Sequence, residues 1–188
     1  MTSFKMIKTK SDLLYYLSED KKRYTKDWPV PNFKDYILHN EKWYTYKYIK
    51  RLRYTEYYYN TGKKILFLYS MFLLKRLGFK LKYQIELNTV GPGFIIYHTG
   101  DMVNTQKRCI IGKNFTMRPG CVFANKYIDY DSEPVIIGDN VTFGLGVKII
   151  GSISIGNNVT VGANAVVTKD IPDNAIVGGV PAKIIRIR

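Results

Sequence analysis

Two histidines are the only side chains here that titrate close to neutral pH without special help. His39 lies in YILHNEKW and His98 in IIYHTGD. A neutral imidazole can take a proton from a hydroxyl as that oxygen attacks, but one His alone does not name a reaction. His39 reads as a satisfied helix-end residue. Cys109 and Cys121 are twelve apart with Phe115 midway, and read as small, reduced core residues rather than a redox pair or metal ligands. The stretch Ala124–Pro134 (ANKYIDYDSEP) gathers Asp129, Asp131 and Glu133. It lacks the spacing and Gly of an EF-hand, so a solvated loop or a hydroxyl-binding rim fits it better than a Ca²⁺ site. The sequence carries no P-loop, zinc cluster, dinucleotide fingerprint or nucleic-acid-binding motif, and no metal is expected.

The elements that must position these groups fall into two regions. From Val135 to Ile171 an apolar residue recurs every six positions, at Ile137, Phe143, Ile149, Ile155, Val161 and Val167. A second apolar residue follows each after four, and Gly follows directly at Gly138, Gly144, Gly156 and Gly162. That period fits neither a helix nor simple strand alternation; it is the mark of a parallel β-helix. Residues 83–123 contain looser repeats, such as VGPGF and IGKNFT. Phe123 and Ile137 are fourteen apart, two more than two repeats, so a loop is expected at 124–134.

Residues 1–82 read as α-helical, and 83–188 as the β-helix with a C-terminal cap. Ser11 is a candidate N-cap for a helix reaching about Tyr24, and Pro29 and Pro31 break the chain. A second helix is predicted from Glu41 to Tyr58, and a third from Lys63 to Leu77, closed by Gly78. The apolar face of the third (Ile65, Leu66, Leu68, Tyr69, Phe72, Leu73) is wide enough to be buried.

The net charge is +14, and residues 1–82 carry 19 Lys and Arg against 7 Asp and Glu, a net of +12. The same region holds 12 of the 16 tyrosines. An amphipathic bundle with a solvated basic exterior explains this pattern; contact with an anionic membrane surface or an acidic polymer is the alternative. Apolar residues make up 46% of the chain, enough for a buried core. The N-terminus has no apolar segment of a secretory signal, and Ile65–Leu74 is too short to span a bilayer, so a cytoplasmic chain is expected.

The hexads from Ile137, the phrase VGANAVVTKDIPDNAIVGGVPAKIIR and the earlier VGPGFIIYHTG resemble the hexapeptide-repeat acyltransferases. The likeness is greatest to the serine acetyltransferase branch, which includes bacterial homologues attributed to polysaccharide O-acetylation. This resemblance implies a mainly β fold, a left-handed parallel β-helix of triangular section with an N-terminal α-helical domain. It implies a homotrimer with active sites between subunits, and acetyl-CoA as donor. His98 falls where the family's catalytic base lies. Glu86 is the nearest acid upstream to orient it. Gly144, Gly146, Ala163, Thr168, Lys169, Lys183 and Arg186 match positions along the donor groove.

Two departures bear on the acceptor. Ser132 and Glu133 stand where the branch has an Arg-His pair near the serine carboxylate, and Tyr97 stands where it has an acid. These changes, with Asp129, Asp131 and Glu133 as acceptor-binding candidates, favour a sugar hydroxyl of a surface polysaccharide or its precursor. Serine is the alternative acceptor. Outside the enzyme class, a non-catalytic trimeric scaffold or a polyanion-binding protein is the competing reading.

Overall fold

The computed structural model describes residues 4–25, 28–106, 108–125 and 133–188. Four helices come first. Helix α1, Lys10–Lys22, begins two residues earlier than Ser11 suggested. Thr9 is the N-cap and forms a capping box with Asp12, two reciprocal bonds that Ser11 could not make. A short helix that the sequence reading missed, α2 (Phe33–Ile37), is capped the same way by Asn32 and Asp35. Helix α3 runs Glu41–Asn60 behind the N-cap Asn40.

Helix α4, Lys64–Leu81, passes through Gly78 rather than stopping at it. The terminator is Lys82, in the left-handed region at φ 60. Gly78 serves packing: a Cβ there would lie 2.5 Å from the Tyr83 carbonyl oxygen and 3.3 Å from the Tyr48 ring. The expected burial of the α4 face is also overturned. Ser70, Leu74, Gly78 and Leu81 are buried, whereas Ile65, Leu66, Leu68, Tyr69 and Phe72 are exposed.

The strands then wind in parallel coils with three faces. The first face stacks β4 (Cys109–Ile111), β7 (Val135–Ile137) and β10 (Ser154–Ile155), with bridges at Val90 and Ile171. The second stacks β2 (Ile95–Ile96), β5 (Thr116–Met117), β8 (Thr142–Phe143), β11 (Thr160–Val161) and β13 (Ala175–Gly178). An antiparallel β14 (Lys183–Ile187) closes that face, because the repeat has ended and the chain folds back. The third stacks β6 (Val122–Ala124), β9 (Lys148–Ile150) and β12 (Val166–Val167) above a β1 (Tyr83–Gln84) and β3 (Val103–Asn104) pair.

The six-residue period is therefore one strand and one corner, and the recurring apolar residue points inward. Ile137, Phe143, Ile149, Ile155, Val161 and Val167 are all buried. At one corner Asn114, Asn140, Asn158 and Asn174 adopt positive φ and bond side chain to side chain in a ladder. Its steps are 26, 18 and 16 residues. The 26-residue coil is eight longer than the regular one, and the excess lies between β6 and β7. Phe123 to Ile137 is thus one repeat plus eight residues, not two repeats plus two. Both cysteines are free and buried; burial pushes the Cys109 thiol well above its usual range.

The helical part has no large core of its own. Tyr48, Ile49, Leu52, Leu74 and Leu81 join the same apolar cluster as the coil interior. A buried ionic knot pins α1 and α3 to the first coil. The Arg53 Nε donates to the Asp20 Oδ2 at 2.8 Å, and its other nitrogens reach Glu56 at 3.1 Å and the carbonyls of Val90 and Gly91 at 2.8 and 2.7 Å. Asp20 in turn accepts the Gly93 and Phe94 amides, both at 2.8 Å. Every polar group of this dry site has a partner, which is what makes the burial tolerable.

Candidate active site

His98 sits at the corner after β2, with φ 62. A histidine at positive φ is uncommon and marks a constrained turn. The turn is held from both sides. The Tyr83 hydroxyl donates to the His98 carbonyl. The Glu41 carboxylate, on the first turn of α3, accepts from the Thr99 amide at 3.1 Å and from its hydroxyl at 3.4 Å. The other oxygen of Glu41 lies 2.7 Å from His98 Nδ1. With Nδ1 as the donor to this carboxylate, the Nε2 lone pair is left free. The His98 side chain is 54% exposed, open to an incoming substrate.

Glu86, the orienting acid expected from sequence, is elsewhere. Its amide donates to the Thr105 hydroxyl at 3.0 Å, and its carboxylate accepts from Gln84 at 3.3 Å. The carboxylate that meets His98 is that of Glu41. Nothing local marks Glu41 for that role, since an acid behind an Asn N-cap reads as an ordinary helix start. The contact spans 57 residues of chain. Trp28 was missed for the same reason. Its ring centroid is 4.8 Å from His98 and 5.5 Å from Tyr97, and Arg118 lies over Tyr97 at 5.6 Å. The Trp28 indole N–H is buried without a partner among the described residues. His39 is a satisfied residue, its Nδ1 2.5 Å from the Tyr44 hydroxyl.

The corners sort the remaining candidates. The corner between the second and third faces carries His98, then Gly144 and Gly146 two coils on, and Ala163 in the coil after that. Gly144 is required by the stack itself: a Cβ would stand 2.7 Å from the Ala163 amide nitrogen. Gly146, at φ 70, would meet the Asn164 side chain at 2.2 Å. Leu145, between the two glycines, is an exposed side chain of this corner. Lys183 and Arg186 lie on β14 beside the same face, exposed, and pair with no carboxylate among the described residues. The corner between the third and first faces holds the others: Glu86, Glu133, Thr168 and Lys169. Glu86 and Glu133 line one groove there with Arg108 and Asn125. Asp129 and Asp131 lie outside the described residues. One chain thus divides the predicted residues between two edges of its prism. Among the described residues no cluster of His, Cys, Asp or Glu could hold a metal ion.

Comparison with known proteins agrees with this architecture. Residues 134–169 match the family described as hexapeptide repeat of succinyl-transferase. A serine acetyltransferase of Staphylococcus aureus is 34% identical over 97 residues, 52% of this chain and 45% of the relative. The chain therefore spans less than half the length of such curated relatives. A serine acetyltransferase structure from Neisseria gonorrhoeae superposes with a TM-score of 0.75 at 25% identity, covering 95% of this chain and 68% of that one. A second, from Brucella abortus in complex with coenzyme A, superposes at 0.72 with 23% identity over 94% of this chain and 68% of that one. The repeat and these neighbours imply the left hand of the coil. Residues 134–169 carry the hexapeptide repeat, and the chain as a whole is built on the plan of the serine acetyltransferase structures, helices included.

Proposed function

We propose that this chain is an acetyl-CoA-dependent O-acetyltransferase with His98 as general base. The observation that carries the reading is the 2.7 Å contact between His98 Nδ1 and Glu41, on the corner beside the face that ends in exposed Lys183 and Arg186. His98 Nε2 takes the acceptor hydroxyl's proton while that oxygen bonds to the thioester carbonyl carbon. The carbon–sulfur bond then breaks, and His98 returns the proton to the departing sulfur. The reaction needs no acyl-enzyme, and buried Cys109 and Cys121 are unsuited to form one. Acetyl-CoA brings the activated acyl group. From β2 to β13 the second face counts four strand spacings, roughly 19 Å. An extended donor can lie along that edge, past Gly144 and Ala163, with phosphates met by Lys183 and Arg186.

Thr168 and Lys169 stand on another edge, as does Glu133. A trimer supports bringing them into use, since each neighbour can set that edge against the His98 edge of the next. The same reading gives the two-edge division a purpose that a lone prism lacks.

For the acceptor, the names of the relatives favour serine, and Arg118 near Tyr97 is a suitable partner for a carboxylate. A sugar hydroxyl is the second reading, favoured by the Trp28 and Tyr97 rings beside His98. The test is release of free thiol from acetyl-CoA with serine and a panel of sugars. Turnover of serine well above every sugar selects the first reading; the reverse selects the second. No release with either, and no coenzyme A binding, would leave only a scaffold.

A further inference from the structure

We propose that the outer face of α4 docks on an anionic lipid surface. At 100° per residue, Ile65, Leu68, Tyr69, Phe72 and Phe79 fall within about 100° of arc, opposite the buried Ser70, Leu74, Gly78 and Leu81. Ile65 is 84% exposed and Phe79 91% exposed. An exposed apolar arc of this width is unusual on a helix that faces only water, and here it is flanked by Lys75 and Lys80 with Arg76 inside it. Among the described residues only β1 borders this face, where Tyr83 and Gln84 line a shallow groove with Phe72 and Phe79.

Charge identifies the cover. From Lys63 to Lys82 there are six Lys and Arg and no Asp or Glu. Lys75, Arg76 and Lys80 are exposed, and Arg76 lies over the Phe72 ring at 5.7 Å. A second copy pairing through the same patch would set cations against cations. An acidic polymer would satisfy the cations but leave the aromatic rings wet. An anionic bilayer surface supplies hydrocarbon for the rings and headgroup charge for their flanks. No helix of the described residues is long and apolar enough to cross a membrane, so α4 would lie in the interface plane, about 27 Å of helix.

The test is flotation of the full chain with vesicles of phosphatidylcholine, with and without phosphatidylglycerol, alongside light-scattering mass. The chain is expected to float with the anionic vesicles and at least tenfold less with neutral ones. Leu68→Glu with Phe72→Glu should lower the bound fraction at least tenfold, with mass and circular dichroism unchanged. Lys75→Glu with Arg76→Glu should do the same. Absence of flotation overturns the proposal. So does a lower mass for the Leu68/Phe72 double variant, which would assign the face to a second copy. Binding that survives loss of Leu68 and Phe72 would make the attraction one of charge alone, without the apolar face, and overturn it as well.

Discussion

At the scale of single residues, the proposed site reduces to one imidazole and the carboxylate bonded to it. Loss of the base should be severe: His98→Ala is expected to lower kcat by about 10²- to 10⁴-fold in the thiol-release assay. Wild-type turnover in that variant would remove His98 from the mechanism. Glu41→Gln tests the aim alone. A hydrogen bond to a charged group is worth about 1.5–3 kcal/mol, or about 10- to 100-fold in rate. That loss should fall on kcat, with the KM for acetyl-CoA unchanged, because Glu41 touches only the His98 turn among the groups described here. Glu86→Gln should leave kcat unchanged, since its carboxylate bonds Gln84 instead. His98 stood out as a candidate in the sequence because its flanking motif is local. Glu41 was not, because an interaction across 57 residues leaves no spacing signature.

At the scale of elements, the helices matter by holding the first coil. Arg53 is fully buried among two carboxylates and two carbonyls. Arg53→Ala strands buried Asp20 and Glu56, and should cost about 3–5 kcal/mol in urea unfolding. Gly78→Ala gains helix propensity but drives a Cβ into the Tyr83 carbonyl, 2.5 Å away. A net loss of about 1–3 kcal/mol is expected from such overpacking. Activity should drop with it, since Tyr83 holds the His98 carbonyl. The helix caps predict a pH dependence. The Lys5 side chain, with the Thr9 cap, holds the Asp12 carboxyl well below its usual range, and the Asn32 amide with Lys42 lowers that of Asp35. Depressed folded values mean stability that is present above the unfolded pKa of about 3.9 and is lost as pH falls through the folded values. Asp12→Asn and Asp35→Asn should therefore flatten the acid limb of the melting-temperature profile. Helix existence was readable from periodicity, except for α2, whose five residues are too few to show a period. Ends were misread where a reciprocal cap or a packing Gly outweighed the simplest signal.

At the scale of the whole molecule, the division of predicted residues between two prism edges is the feature that calls for more than one chain. Light scattering is expected to give three times the 21.8 kDa chain mass. A monomer with full activity would contradict a shared site. The prism form itself was written in the period of six. Its third dimension was not, because a long coil and an extra repeat look alike when only spacing is counted. The ladder of Asn114, Asn140, Asn158 and Asn174 resolves the two by fixing which residues stack.

The sequence by itself determined the repeat, the inward apolar column, the helical first part and the histidine worth watching. These are periodic or local properties, and each is set by neighbours a few residues away. The tertiary structure alone decided which acid meets His98, which edge each donor candidate occupies and which side of α4 is left bare. Those outcomes depend on where separate segments come to rest against one another. That placement is set by the shared core and the buried Arg53 knot, through contacts between residues far apart in the chain.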